Sequence, residues 1–204
     1  MQSQNMLVTI TGLAKTKAGR YSVYADGEYA FSLDGKTLLE SDIRKGRQLD
    51  WEYLEQVRQK SQYESAREKA LNLLGSRELS AKELEQKLRL HYPAQVCTSV
   101  VQQLQQVDLI DDGRYAMRLA AELYRVRHCS VWEIGQKLRA RGIAGAEYDA
   151  AMDQGFDDVK TLQVLLQEKY AAAWQRDAKK CAASLRRKGF AFGDIAQAMD
   201  LGEE

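Results

Sequence analysis

The sequence predicts a mainly α-helical protein: three tandem three-helix repeats forming an elongated, curved array, preceded by a small three-stranded β segment. Three observations lead there. A capped amphipathic stretch recurs three times along the chain. A single proline, Pro93, stands in 204 residues, and the glycines fall between periodic segments. Only the residues up to Leu33 alternate as strands do, around a turn signal. The expected segments are an N-terminal β-hairpin segment at 1–48 and a bridging helix at 49–64, then repeats at 65–110, 111–155 and 156–204.

The β segment reads as three runs. Leu7 to Leu13 is rich in apolar and β-branched residues, and Tyr21 to Ala25 and Glu28 to Leu33 carry aromatics in alternation. Asp26-Gly27 between the last two marks a hairpin, because both central residues of a type I′ turn need positive φ. Lys15 to Arg20 joins the first two strands and carries three positive charges. Three short strands are marginal alone, so they are expected to pack on the helix that follows.

Ala30 to Thr37 fits a permissive phosphate-loop pattern ending in Gly35-Lys36-Thr37. Such a loop needs free backbone N–H groups between a buried strand and a helix. Here Ala30 to Leu33 read as the hairpin strand itself, and Asp34 would set a negative charge beside the phosphate. Nucleotide binding is therefore not expected.

The repeat is the most informative feature. Ser80 to Leu84, continuing to Lys87-Leu88-Arg89, matches Ser130 to Ile134, continuing to Lys137-Leu138-Arg139. Both match Asp177 to Cys181, continuing to Ser184-Leu185-Arg186, at offsets of 50 and 47 residues. Ser80 with Glu83 and Ser130 with Glu133 form capping boxes. Loss of either serine is expected to cost about 1 kcal/mol. Apolar residues recur one turn apart at Leu84 and Leu88, Ile134 and Leu138, and Cys181 and Leu185. Gly142 and Gly189 stand where left-handed helix ends favour glycine. The flanks correspond too: Ala66, Ala70, Leu73 and Leu74 before Ser80, and Ala116, Ala120, Leu123 and Tyr124 before Ser130. Such arrays are commonly elongated, with contacts between neighbouring repeats.

Composition sets bounds. A net charge of +1 means that any affinity for nucleic acid must come from how charges are arranged. No apolar run approaches the ~18 residues of a membrane span. Met1 to Asn5 has no apolar signal core, so the cytoplasm is the expected location. Cys97, Cys129 and Cys181 are too far apart to pair by pattern and read as reduced thiols. His91 and His128 have no zinc-like spacing with them. No catalytic residue, metal ligand or cofactor is expected. Asp111-Asp112 and Asp157-Asp158 read as helix-start residues rather than acid–base pairs.

Leu109-Ile110-Asp111-Asp112-Gly113-Arg114-Tyr115-Ala116 and the two serine-capped stretches resemble the RecX family, and Tyr21 to Leu33 resembles the N-terminal extension of some members. The resemblance spans nearly the whole chain. It is specific from Glu64 to Asp153 and weak after Gly155. It implies a regulator of recombination, DNA repair and the SOS response that binds RecA filaments and inhibits ATP hydrolysis and strand exchange. The implied partners are the RecA filament with single-stranded and possibly duplex DNA, and the expected state is a monomer. Trp132 departs from the polar or basic residue expected there.

The candidate contact surface is a stripe repeated at one helical phase: Lys82, Gln86 and Arg89; Trp132, Gln136 and Arg139; Lys179, Ala183 and Arg186. Arg125, Arg127, Lys137, Arg141 and Arg187 add to it. A solvated helix face explains such charges equally well. Recurrence at one phase, and an indole on a polar face, favour a partner. The alternative function is a tandem helical protein acting directly on duplex DNA.

Overall fold

The computed structural model describes residues 6–200, the side chain of Asp200 excepted. Met1 to Asn5, read above for a signal core, lie outside them. The chain divides into two compact units: residues up to Arg77 together with Leu84–Gln106, and Glu78–Glu83 together with the residues from Val107 onward.

The first unit opens with β1 (Leu7–Lys15), β2 (Tyr21–Ala25) and β3 (Glu28–Leu33). The hairpin turn is the one expected, with Asp26 at φ 51° and Gly27 at φ 92°. Its register pairs Ala25 with Glu28 and Tyr21 with Leu33. The sheet, however, has four strands, not three, in the order β3-β2-β1-β4. β4 (Gln48–Asp50) runs antiparallel to β1, with Leu7 opposite Asp50 and Thr9 opposite Gln48. Three residues are too few to show a period of two, so only the ladder itself reveals this strand.

Between β3 and β4 lies α1 (Gly35–Glu40), a short helix inside the phosphate-loop look-alike. The Asp34 carboxylate accepts from the Thr37 N–H at 2.8 Å, from the Thr37 hydroxyl at 2.7 Å and from the Ser61 hydroxyl at 2.8 Å. The helix N-terminus that a phosphate would need is thus occupied by the chain's own anion.

α2 (Trp51–Ser76) runs for 26 residues, so the expected bridging stretch continues unbroken into the first helix of the repeat region. Its N-terminal half covers the sheet: Leu54 and Val57 close a core with Val8, Ile10, Val23, Phe31, Leu33 and Ile43. Its C-terminal half buries Ala66 and Ala70, while α3 (Ala81–Leu88) buries Leu84 and Leu88. α4 (Ala94–Gln106) buries Cys97, Val100, Val101 and Leu104.

In the second unit α5 (Asp112–Arg125), α6 (Val131–Ala140) and α7 (Gly145–Met152) enclose Ala116, Ala120, Leu123, Ile134, Leu138 and Ile143. α8 (Asp158–Leu165) passes through a π-helical turn (Leu166–Tyr170) into α9 (Ala171–Arg176). With α10 (Ala178–Arg187) and α11 (Phe192–Asp200) they enclose Leu162, Leu165, Cys181, Leu185, Phe190 and Ile195. In α3, α5, α6 and α10 the buried positions coincide with the periodic apolar ones of the sequence.

Burial alone would push the Asp34 carboxyl up, but the Thr37 and Ser61 hydrogen bonds outweigh it and hold the group below its ordinary value. A depressed carboxyl contributes stability above its unfolded pKa and loses it as pH falls through the folded one. Asp34→Ala is therefore expected to lower the melting temperature at neutral pH, with the gap to the parent closing below about pH 4. A gap that persists unchanged to pH 2 would contradict this origin.

Candidate partner-binding surface

The capped helices are held by one joint, made twice. Ser80 and Ser130 are fully buried. Each hydroxyl caps its own helix, accepting from the N–H of Glu83 or Glu133 at 3.1 Å. Each also donates, and the acceptor is the carbonyl at the C-terminal end of a helix far along the chain: Arg141 O at 2.6 Å for Ser80, and Lys188 O at 2.7 Å for Ser130. Those carbonyls precede Gly142 and Gly189, at φ 86° and 93°. A Cβ at Gly142 would collide with the Lys82 side chain, and one at Gly189 with the Trp132 ring and the Ser130 hydroxyl.

The paired aspartates complete the joint. Asp111 and Asp157 cap α5 and α8, as expected of helix-start residues. Their successors reach back to the preceding capped helix: Asp112 accepts from Ala81 N–H and Asp158 from Val131 N–H, both at 2.9 Å. Burial pushes both carboxyls up, and those amides pull the other way.

The capping boxes themselves are not alike. At Ser80 the Glu83 carboxylate accepts the Ser80 N–H at 3.2 Å and the Tyr115 hydroxyl at 3.1 Å. At Ser130 only the serine half is made, because the Glu133 carboxylate pairs with Lys137 at 2.8 Å. The expectation of two full boxes is corrected there.

All the sequence-predicted contact residues except Gln86 and Arg89 lie in the second unit. Lys82, Arg125, Trp132, Arg139, Lys179, Arg186 and Arg187 are exposed, and the stripe avoids the buried Leu88, Leu138 and Leu185. Several carry local partners. Arg89 pairs with Glu85 at 2.9 Å, Arg127 with Glu122 at 3.2 Å, and Arg139 lies over the Tyr148 ring at 4.3 Å. Glu133 holds the Lys137 ammonium above its ordinary value. Arg141 is only half-exposed and donates to Lys137 O at 3.0 Å. Trp132 keeps 58% of its surface exposed while lying on Gly189. Its place in the joint accounts for a large side chain at this position, where Lys82 serves in the equivalent joint.

Sequence reasoning missed the donor half of the serine bonds and the reach of Asp112 and Asp158. The recurrence of Asp-Asp was a visible signal for the second; nothing local signals the first. Cys97, Cys129 and Cys181 are free and buried, and burial raises each thiol. Among the described residues, no three His, Cys, Asp or Glu side chains gather as metal ligands. No described helix is long and apolar enough to cross a membrane.

The first unit is thus a small sheet on a long helix, and the second a set of jointed helices with charged outer faces. Residues 7–50 match the regulatory protein RecX N-terminal domain, and residues 66–104 match the RecX first three-helix domain. The regulatory protein RecX of Leuconostoc citreum is 29% identical over 192 residues, covering 90% of this chain and 72% of the relative. That of Bacillus subtilis is 25% identical over 200 residues, covering 95% and 76%. A crystal structure of regulatory protein RecX shares the fold at a TM-score of 0.66 and 23% identity, over 95% of this chain and 99% of that one. RecX from Lactobacillus salivarius gives a TM-score of 0.59 at 25% identity, over 68% and 95%. Two RecX domain models and RecX regulatory proteins over most of its length are thus what this chain is similar to.

The joint revises the expected cost of losing a serine. Asp177→Ala removes only a cap, at an exposed position, and is expected to cost about 1 kcal/mol. Ser130→Ala also leaves the part-buried Lys188 carbonyl without its donor, which raises the expected cost to about 2–4 kcal/mol. Equal costs in urea denaturation would show that the donated bond contributes nothing. Gly189→Ala, strained at positive φ and blocked by Trp132, is expected to destabilise more than Gly19→Ala, where the φ is also positive but the space is open.

Proposed function

We propose that the chain binds RecA–DNA filaments and restrains their ATP hydrolysis and strand exchange, acting as a cytoplasmic monomer with auxiliary contacts to single-stranded and duplex DNA. Similarity to regulatory RecX proteins over most of the chain supports a regulatory role. The observation that carries the contact surface is the recurrence of outward-facing residues at one phase of three capped helices, clear of every buried position. Lys82, Arg125, Lys179, Arg186 and Arg187 supply cations with no ion-pair partner among the described residues. Such charges suit phosphates or an acidic protein face. Trp132 adds a half-exposed indole of the kind enriched at interface centres.

Reversing charge at Arg89, Arg139 and Arg186 together tests the surface. All three are off the core, and surface substitutions rarely exceed about 0.5 kcal/mol each. The triple variant is expected to fold, by circular dichroism, and to inhibit RecA ATPase at least about tenfold less well, with a shallower salt dependence wherever phosphates are contacted. Undiminished inhibition across a salt series would move the contact elsewhere. Tight binding to bare duplex, unaffected by RecA, would favour the direct DNA-binding alternative.

The pure protein is expected not to turn over ATP, because Asp34 fills the helix start at Gly35-Lys36-Thr37. ATP turnover that Lys36→Ala abolishes would overturn this.

A further inference from the structure

A cavity of about 630 Å³ opens in the first unit between the edge strand β3, the outer face of α2 and the turn before α4. Its size falls within the roughly 300–1,000 Å³ of small-ligand sites. Its lining includes Arg20, Arg58, Lys69 and His91, with the rings of Tyr29 and Tyr92, and none of the lining residues is acidic. In a chain with nearly equal numbers of acids and bases, that segregation is informative.

The cations differ in how they are held. Arg58 is neutralised by Glu55, which takes two of its N–H groups at 2.5 and 2.7 Å. Arg20 is fixed by neutral acceptors only: the Ser65 hydroxyl at 2.8 Å and the Ser32 carbonyl at 2.9 Å. Among the described residues, neither Arg20 nor Lys69 has a carboxylate within ion-pair distance. Arg20 is therefore an oriented positive charge that the fold positions without cancelling, and Lys69 is a second, exposed one.

The rings are placed as well. Tyr92 donates its hydroxyl to Ser65 O at 3.1 Å, which ties it to the same turn of α2 that holds Arg20. Tyr29 is 60% exposed, its hydroxyl 3.1 Å from that of Ser32 and its ring edge-on to Tyr24. A fixed cation and a second, exposed one beside the exposed rings of Tyr29 and His91 match a phosphodiester with an unstacked base. Duplex DNA offers the phosphates but keeps its bases stacked; a single strand offers both.

We propose that this cavity takes a nucleotide unit of single-stranded DNA, its phosphate against Arg20 and Lys69 and its base against Tyr29 or His91. The assignment deepens the filament reading by naming the DNA contact, and rests on it only in taking DNA as a partner.

The test uses the full chain, a labelled thymidine 20-mer and fluorescence anisotropy at fixed salt without RecA. Lys69→Glu and Tyr29→Ala change exposed side chains, so unaltered thermal melts should confirm their fold. Lys69→Glu is expected to weaken binding about tenfold or more and to flatten the salt slope by about one contact. Tyr29→Ala is expected to weaken binding about fivefold or more with the salt slope unchanged, as loss of stacking does. Both variants binding like the parent, or a parent that does not bind the oligomer, would overturn the proposal. So would thymidine monophosphate or inorganic phosphate competing as well as the oligomer, which would mark a free-anion site, or a duplex binding equally through the same residues. Variants that lose the oligomer yet still inhibit RecA ATPase would support this site and leave the filament reading intact. Loss of inhibition in the Arg89, Arg139 and Arg186 variant, with oligomer binding kept, would separate the two in the other direction.

Discussion

A buried serine hydroxyl that accepts from one helix and donates to another is the constraint on which the second unit depends. A hydroxyl is the smallest side-chain group that can do both at once. Its acceptor role ends a free amide at the start of one helix, and its donor role ends a free carbonyl at the close of another. One atom thus removes two of the unpaired backbone groups that burial would otherwise penalise. Asp177 marks the contrast. It caps α10 from an exposed position, accepting from Lys180 N–H at 2.9 Å, and has no hydrogen to give. An ionised carboxylate at Ser80 or Ser130 would face the lone pairs of a carbonyl instead of bonding to it.

The remaining parts of the joint follow from that bond. For the serine to reach the carbonyl, the helix end must come close, and Gly142 and Gly189 permit this by turning the chain at positive φ and presenting no Cβ. The space a Cβ would occupy is filled by the Lys82 stem in one joint and the Trp132 ring in the other. Asp112 and Asp158 then satisfy a further amide of the same helix starts, at Ala81 and Val131. Glycine, serine and aspartate each sit where their neighbours' geometry requires them.

How much of this was legible depends on sequence distance. The capped helices, the glycine ends, the Asp26-Gly27 turn and the apolar positions are set within a few residues, and the chain displays them in its spacing. The bond from Ser80 to Arg141 joins residues 61 apart, so spacing shows the cap but not the second partner. β4 was invisible for want of length, and α1 because its first turn imitates a phosphate loop. Among the candidate contact residues, spacing gave exposure correctly at Lys82, Arg139, Lys179 and Arg186. It did not show that Arg89 shares Glu85 with Thr98, that Arg139 rests on Tyr148, or that Arg141 lends its carbonyl to a joint. The cavity around Arg20 joins a hairpin to α2 across 45 residues and left no pattern at all.

The chemistry of the joint also bears on what the surface is free to do. Each joint sets a helix N-terminus, with its partial positive charge, against the C-terminal carbonyls of another, with their partial negative charge. That complementarity needs no formal charge at the hydroxyl bond, and the bond is buried, so salt screens it little. Exposed ion pairs, by contrast, contribute little and weaken in salt. Beyond the Asp112 and Asp158 carboxylates, the joints are held by neutral hydrogen bonds and apolar packing, so the ammonium and guanidinium charges of the outer face form none of the joint bonds. Those side chains are then available to a charged partner, and an ionic strength that weakens such a contact leaves the scaffold that presents it in place.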